Sequence, residues 1–116
     1  MASLAFPRAM RLRSRSEFQA LNRTGLRLRL ADLIIRYQPT DRGHPRFGLT
    51  VSRRVGNAVC RNRVKRRLRD VIRHHQSSVG SFDVVIIAKP SAALRTRSDF
   101  FTQIQSACAD ALRQRS

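Results

Sequence analysis

The sequence predicts a single-domain α+β sandwich with elements in the order α-β-β-β-α-β-α. Three observations lead there. Leu26-Arg27-Leu28-Arg29-Leu30 alternates strictly, the two-residue period of a half-buried strand. Cys60, Val64, Leu68, Val71 and Ile72 fall at i, i+4, i+8, i+11 and i+12, one face of a long helix. Asp83 to Ala88 is a near-continuous apolar run of the kind a central strand carries. At 116 residues the chain has room for one modest core.

Each element follows from its own local chemistry. Residues 1 to 13 read as a basic, loosely ordered arm. Ser14 and Glu17 have the spacing of a capping box for a short helix that buries Phe18 and Leu21. That helix is expected to end near Gly25 in a left-handed cap. The alternating Leu26–Leu30 strand follows, then a second strand over Leu33, Ile34, Ile35, Arg36 and Tyr37. Pro39 to Pro45, with Asp41, Arg42 and Gly43 inside it, is a turn. Arg46 to Ser52 reads as the third strand, with Phe47, Leu49 and Val51 on one face and Gly48, Thr50 and Ser52 on the other. The long helix runs from about Asn57 to His75, and Asn57 suits a helix cap. Gln76 to Ser81 is a loop before the Asp83–Ala88 strand. Ser98 is the expected cap of the last helix, Asp99 favours its first turn, and Phe101, Ile104, Cys108, Ala111 and Leu112 form its core stripe.

The charge is strongly one-sided: 24 Lys and Arg against 7 acids, a formal +17. Nine of the 24 cations lie in the 21 residues Arg53 to Arg73, on an ordered helix rather than a tail. Self-repulsion of that size calls for a polyanionic partner, with nucleic acid leading. At 100° per residue Asn62, Arg66, Arg69 and Arg73 lie opposite the apolar stripe, with Arg63 beside them. Arg61 lies nearer the stripe and must escape at the first turn or point into a cleft. Of the cations 22 are Arg, which suits bidentate phosphate contact and base stacking in RNA; an Arg-favouring genome explains the ratio equally well.

Other chemistries find little footing. Cys60 and Cys108 are too few and too isolated for a disulfide framework or a zinc site, and fit reduced, buried, intracellular thiols. No run approaches the ~20 apolar residues of a membrane span, and the first ten residues lack an apolar signal core, so a cytoplasmic protein is expected. The acids Glu17, Asp32, Asp41, Asp70, Asp83, Asp99 and Asp110 are scattered, unlike a two-metal nuclease site. His44 lies in a turn. His74 and His75 read as cations near a helix C-terminus. No nucleophile signature or glycine-rich phosphate loop appears.

Phe47-Gly-Leu-Thr-Val-Ser-Arg-Arg-Val-Gly-Asn-Ala-Val-Cys-Arg-Asn-Arg-Val-Lys-Arg-Arg-Leu-Arg69 closely resembles the signature of the protein subunit of bacterial ribonuclease P, known for its Arg-Asn-Arg motif. Arg11-Leu-Arg-Ser-Arg-Ser-Glu-Phe18 resembles that family's first helix, and Asp83-Val-Val-Ile-Ile-Ala-Lys-Pro90 its last strand and turn. The resemblance spans roughly residues 9 to 113. It implies a four-stranded sheet with a left-handed β-α-β crossover, a ribosomal protein S5 domain 2-like fold, where handedness rules alone favour the opposite hand. It also implies that a partner ribonuclease P RNA with bound Mg²⁺ cleaves precursor tRNA, while the protein binds that RNA and the single-stranded 5′ leader. No catalytic residue, protein-borne metal, DNA or membrane is expected.

On the same ground Arg61, Asn62, Arg63, Lys65, Arg66, Arg67 and Arg69 are assigned to RNA contact, with Arg53 and Arg54 flanking them. Phe18 matches the family's leader-cleft aromatic, although a Phe at this spacing also suits plain core. Arg36 and Tyr37 are assigned to the leader cleft with Phe18; Asn22 and Arg36 stand where family members often carry aromatics, so charge is expected to replace some stacking there. Arg27 and Arg29 fit either a second RNA surface or a solvent face. A small ribosomal protein shares the charge but has no reason to carry the signature. A DNA-binding helix-turn-helix needs a helix where this chain has a strand. An independent nuclease would cleave without an RNA partner.

Overall fold

A computed structural model describes residues 11–12 and 15–112 of the chain. The elements are α1 (Arg15–Thr24), β1 (Leu26–Arg29), β2 (Leu33–Pro39), β3 (Arg46–Thr50), α2 (Ala58–His75), β4 (Phe82–Ala88), a 3₁₀ turn (Pro90–Leu94) and α3 (Arg97–Ala107), which runs on into a π-helical turn, Cys108–Leu112. The expected order holds, with the 3₁₀ turn as an addition. The strands form one sheet in the order β1-β2-β4-β3. β4 is indeed central: it pairs antiparallel with β2 and parallel with β3. Because β3 and β4 are parallel neighbours, the chain must leave the sheet between them, and α2 is that crossover.

The two faces of the sheet are packed very differently. On one face lies the main core, where Leu33, Ile35, Val84 and Ile86 meet Val64, Leu68, Val71 and Ile72 of α2 and Phe100 and Ile104 of α3. The predicted stripe of α2 is therefore the buried one. On the other face α1 contributes Leu21, which joins Leu12 and Val85 in a second, small cluster.

Several local expectations are corrected. Gly25 does not take a left-handed conformation; a side chain there would come within 2.6 Å of the Leu21 carbonyl oxygen, so the glycine serves close approach. Thr96, not Ser98, caps α3, in a reciprocal capping box with Asp99. Phe100 is the fully buried member of the Phe pair, whereas Phe101 packs at the margin. His75, read with His74 as a helix-end cation, is buried, its ring 4.6 Å from that of Phe101. Ser14 of the expected α1 capping box lies outside the described residues. Within the presumed loose arm, Leu12 is buried and its amide donates to the Phe47 carbonyl at 2.7 Å.

Candidate nucleic-acid interface

The entry into α2 shows why the basic helix starts where it does. Gly56 has φ +155°, and a side chain on it would press within 3.0 Å of Cys60. Asn57 then caps the helix, its side-chain oxygen accepting from the Cys60 amide at 2.9 Å. No acid occupies the first turn, so the positive end of the helix dipole is left open and adds to the arginine charge.

With its apolar stripe buried, α2 presents its cations in three directions. Lys65 and Arg69 turn towards β3 and α1 and line a cleft of about 250 Å³, together with Arg11, Leu12, Phe18, Phe47, Gly48 and Leu49. Asn62 and Arg66 are exposed. Arg67 turns towards α3 and donates to the Arg95 carbonyl at 2.7 Å. Arg53 and Arg54 sit exposed on the turn before the helix. Arg61 and Arg63 are half-buried, and the Nε of each is enclosed without a hydrogen-bond partner. One Arg63 Nη lies 3.5 Å from the Cys60 sulfur. Both arginines thus have polar capacity unused by the fold.

Phe18 stands at the cleft wall. A side chain on Gly48 would come within 2.5 Å of the Phe18 ring, so glycine at 48 is what lets the ring lie on the sheet. An ion triad that sequence reading missed holds this arrangement. Arg46, at the start of β3, donates to both carboxylate oxygens of Asp83 on β4 at 2.9 and 2.8 Å, and pairs with Glu17 on α1. Arg46 therefore ties α1 to the sheet one residue before Phe18. The hydrogen bonds to Asp83 and then Glu17, together with their charges, outweigh burial and raise the Arg46 pKa.

Arg36 and Tyr37 were expected together in the cleft, and the fold separates them. Arg36 is on the α1 face of the sheet, whereas Tyr37 packs against the main core, its ring 5.9 Å from that of Phe82. Strand alternation carried this signal, since Tyr37 shares the parity of Leu33 and Ile35. Asn22 is exposed on α1. Cys108 is a buried thiol whose pKa burial pushes up to about 11, and Cys60 is free and half-buried.

The described carboxylates are mostly committed elsewhere. Glu17 and Asp83 are on Arg46, Asp70 is on Arg73 and Arg97, Asp32 is on Arg95, and Asp99 is in its capping box. No group of three or more His, Cys, Asp or Glu among the described residues could hold a metal ion.

Fold and site together define a small polyanion-binding α+β protein with a cleft beside a basic crossover helix. The family model described as Ribonuclease P matches residues 6–112. The chain belongs to the ribonuclease P protein family. It is 37% identical over 107 residues to the ribonuclease P protein component of Citrifermentans bemidjiense, covering 92% of each chain. Over 89 residues it is 39% identical to that of an Exiguobacterium strain, covering 77% of this chain and 78% of the relative. The structure of the Staphylococcus aureus RNase P protein superimposes with a TM-score of 0.82 at 25% identity, over 91% of this chain and all of that one. The Thermotoga maritima protein shares the fold, with a TM-score of 0.77 at 22% identity over 84% of this chain and 94% of that one.

Proposed function

We propose that this chain is the protein subunit of ribonuclease P: in the cytoplasm it binds the ribonuclease P RNA and the 5′ leader of precursor tRNA and promotes removal of the leader. The observation that carries this reading is the cleft in which Phe18, seated on Gly48, faces Lys65 and Arg69 of the helix bearing Arg61-Asn62-Arg63. A single strand needs a surface for its bases and cations for its phosphates, and this cleft has both. The endonucleolytic chemistry is assigned to the RNA partner, where bound Mg²⁺ would supply an activated water. The scatter of the carboxylates, four of them (Glu17, Asp32, Asp70 and Asp83) paired with arginine, supports that division.

The protein's own contribution is charge and position. Lys65 and Arg69 meet leader phosphates, Phe18 offers a face to a base, and Arg61, Asn62, Arg63 and Arg66 meet RNA where the strands converge. Arg53, Arg54 and Arg67 extend that surface. Neutralising phosphate at the convergence lowers the demand for free Mg²⁺.

End-labelled precursor tRNA at low Mg²⁺, incubated with the protein, a bacterial ribonuclease P RNA, or both, tests the proposal. Cleavage at the mature 5′ end with both components alone is expected. Replacing Arg61 and Arg63 by Ala should weaken the stimulation and leave unfolding cooperative. Cleavage by the protein alone, or no stimulation by it, overturns the proposal.

A further inference from the structure

The described residues cover the α1 face of the sheet only in part. α1 lies over the end where β3 and β4 begin, as the contacts Glu17–Arg46, Phe18–Gly48 and Thr24–Gln38 show. Two registered rows cross the sheet from β3 to β1. One runs Gly48, Val85, Arg36, Arg27 and the other Thr50, Ile87, Ile34, Arg29. Gly48 and Val85 of the first lie beneath α1, whereas every residue of the second keeps some exposure. The first begins under Phe18, at the cleft. Both end in arginine at the far edge.

Arg27 and Arg36 are directly opposed across antiparallel strands, and Arg29 shares their face. Like charges so placed repel. No acid among the described residues forms an ion pair with any of the three, whereas Arg46, Arg73, Arg95 and Arg97 each have one. Between this cluster and the cleft the floor includes Ile34 and Ile87, each part-exposed. Three strand spacings, roughly 14 Å, separate Gly48 from Arg27.

We infer that Arg27 and Arg29, beside Arg36, form a distal phosphate-binding station for single-stranded RNA, which extends the leader's path from the Phe18 cleft across the open sheet to the β1 edge. The inference rests on the leader-binding reading above. Among the described residues the cations have no acid partner, they lie in line with the cleft, and the floor between is apolar enough to lie beneath bases. A station of this kind reads leader length and charge, not sequence, because its contacts are to phosphates. The competing role for charge on an edge strand is protection against edge-to-edge pairing.

The test measures binding of reconstituted holoenzyme to precursor tRNAs with a short leader, which ends at the Phe18 cleft, and with a long one. Three proteins are compared: wild type, the double variant Arg27→Ala, Arg29→Ala, and the double variant Arg27→Glu, Arg29→Glu. The Glu pair keeps the edge charged and so remains protected from aggregation. Long-leader affinity should fall about 5- to 10-fold in the Ala variant and further in the Glu variant. The salt dependence of long-leader binding should lose roughly 0.7 logarithmic units per contact removed. Short-leader binding should stay at the wild-type value. Equal losses on both substrates, or none on either in the Glu variant, overturn the distal station. If wild-type protein fails to stimulate cleavage of either substrate, the subunit reading itself fails.

Discussion

The two faces of the sheet do different work. The α2–α3 face is closed: nineteen of the described residues form one buried cluster, including Phe100, Leu68 and Ile72 with essentially no exposure. Among the described residues the α1 face is built from three buried residues, Leu12, Leu21 and Val85, plus one ion triad centred on Arg46. Apolar area removed from water scales with burial, so the first face supplies most of the stability. Among the described residues the second is stabilised by few groups and leaves part-exposed Ile34 and Ile87 and arginines without an acid partner. A domain this small cannot close both faces and still bind a strand on one of them.

The largest effects should therefore come from the closed face. Phe100→Ala removes a fully buried ring and should cost about 3–5 kcal/mol in urea denaturation, with Leu21→Ala at about 2 kcal/mol. If Leu21→Ala matched or exceeded Phe100→Ala, the asymmetry between the faces would be wrong.

Arg46→Met sharpens the comparison on the open face. It leaves Glu17 and Asp83 without their shared cation, and a fully buried pair broken this way costs about 3–5 kcal/mol. The triad's side chains keep 12–29% exposure, so about 2 kcal/mol is expected after solvent screening. Amide exchange should quicken in α1 and stay slow in α2 and α3, and the advantage of leader-bearing over leaderless substrate should shrink. Uniformly faster exchange would make Arg46 a general stabiliser and not a clamp on the cleft.

What the sequence made legible follows the same division. Element order and the buried face of α2 emerge from local periodicity, because each apolar residue there repeats a fixed angle. The Asn57 cap is equally local. The triad of Glu17, Arg46 and Asp83 has no local signal; its members come from three elements and meet only after the sheet has formed. Phe100 and Phe101 are adjacent, and a 3.6-residue period accommodates either in the stripe, so packing had to decide. His75 was assigned by helix-end charge, yet it continues the line of Leu68 and Val71 into the core. In the site, the chemistry of Arg61 to Arg69 is legible as composition, but which cations enter the cleft depends on where α1 and β3 stop.

The smallest expected effect concerns the junction of the closed face with the β1–β2 turn. Asp32 is buried there; its amide donates to Gln103 Oε1 at 3.0 Å, Gln103 Nε2 donates back to its carboxylate at 2.7 Å, and Arg95 pairs with it at 3.0 Å. Burial alone would raise its pKa, but hydrogen bonds from Ser91, Arg95 and Gln103 and the Arg95 charge together hold it below the ordinary carboxylate value of 3.8. A depressed pKa means the folded state binds its proton less readily than the unfolded chain. The resulting stability is present above the unfolded value and is lost as pH falls through the folded one. Asp32→Asn should lower stability at neutral pH by about 1–2 kcal/mol, since a charged hydrogen-bond acceptor is replaced by a neutral one. It should also flatten part of the decline on acidification. Denaturation midpoints of both proteins between neutral pH and pH about 3 test this: the two curves should converge as pH falls, and parallel curves would show that Asp32 packs the junction without its charge contributing.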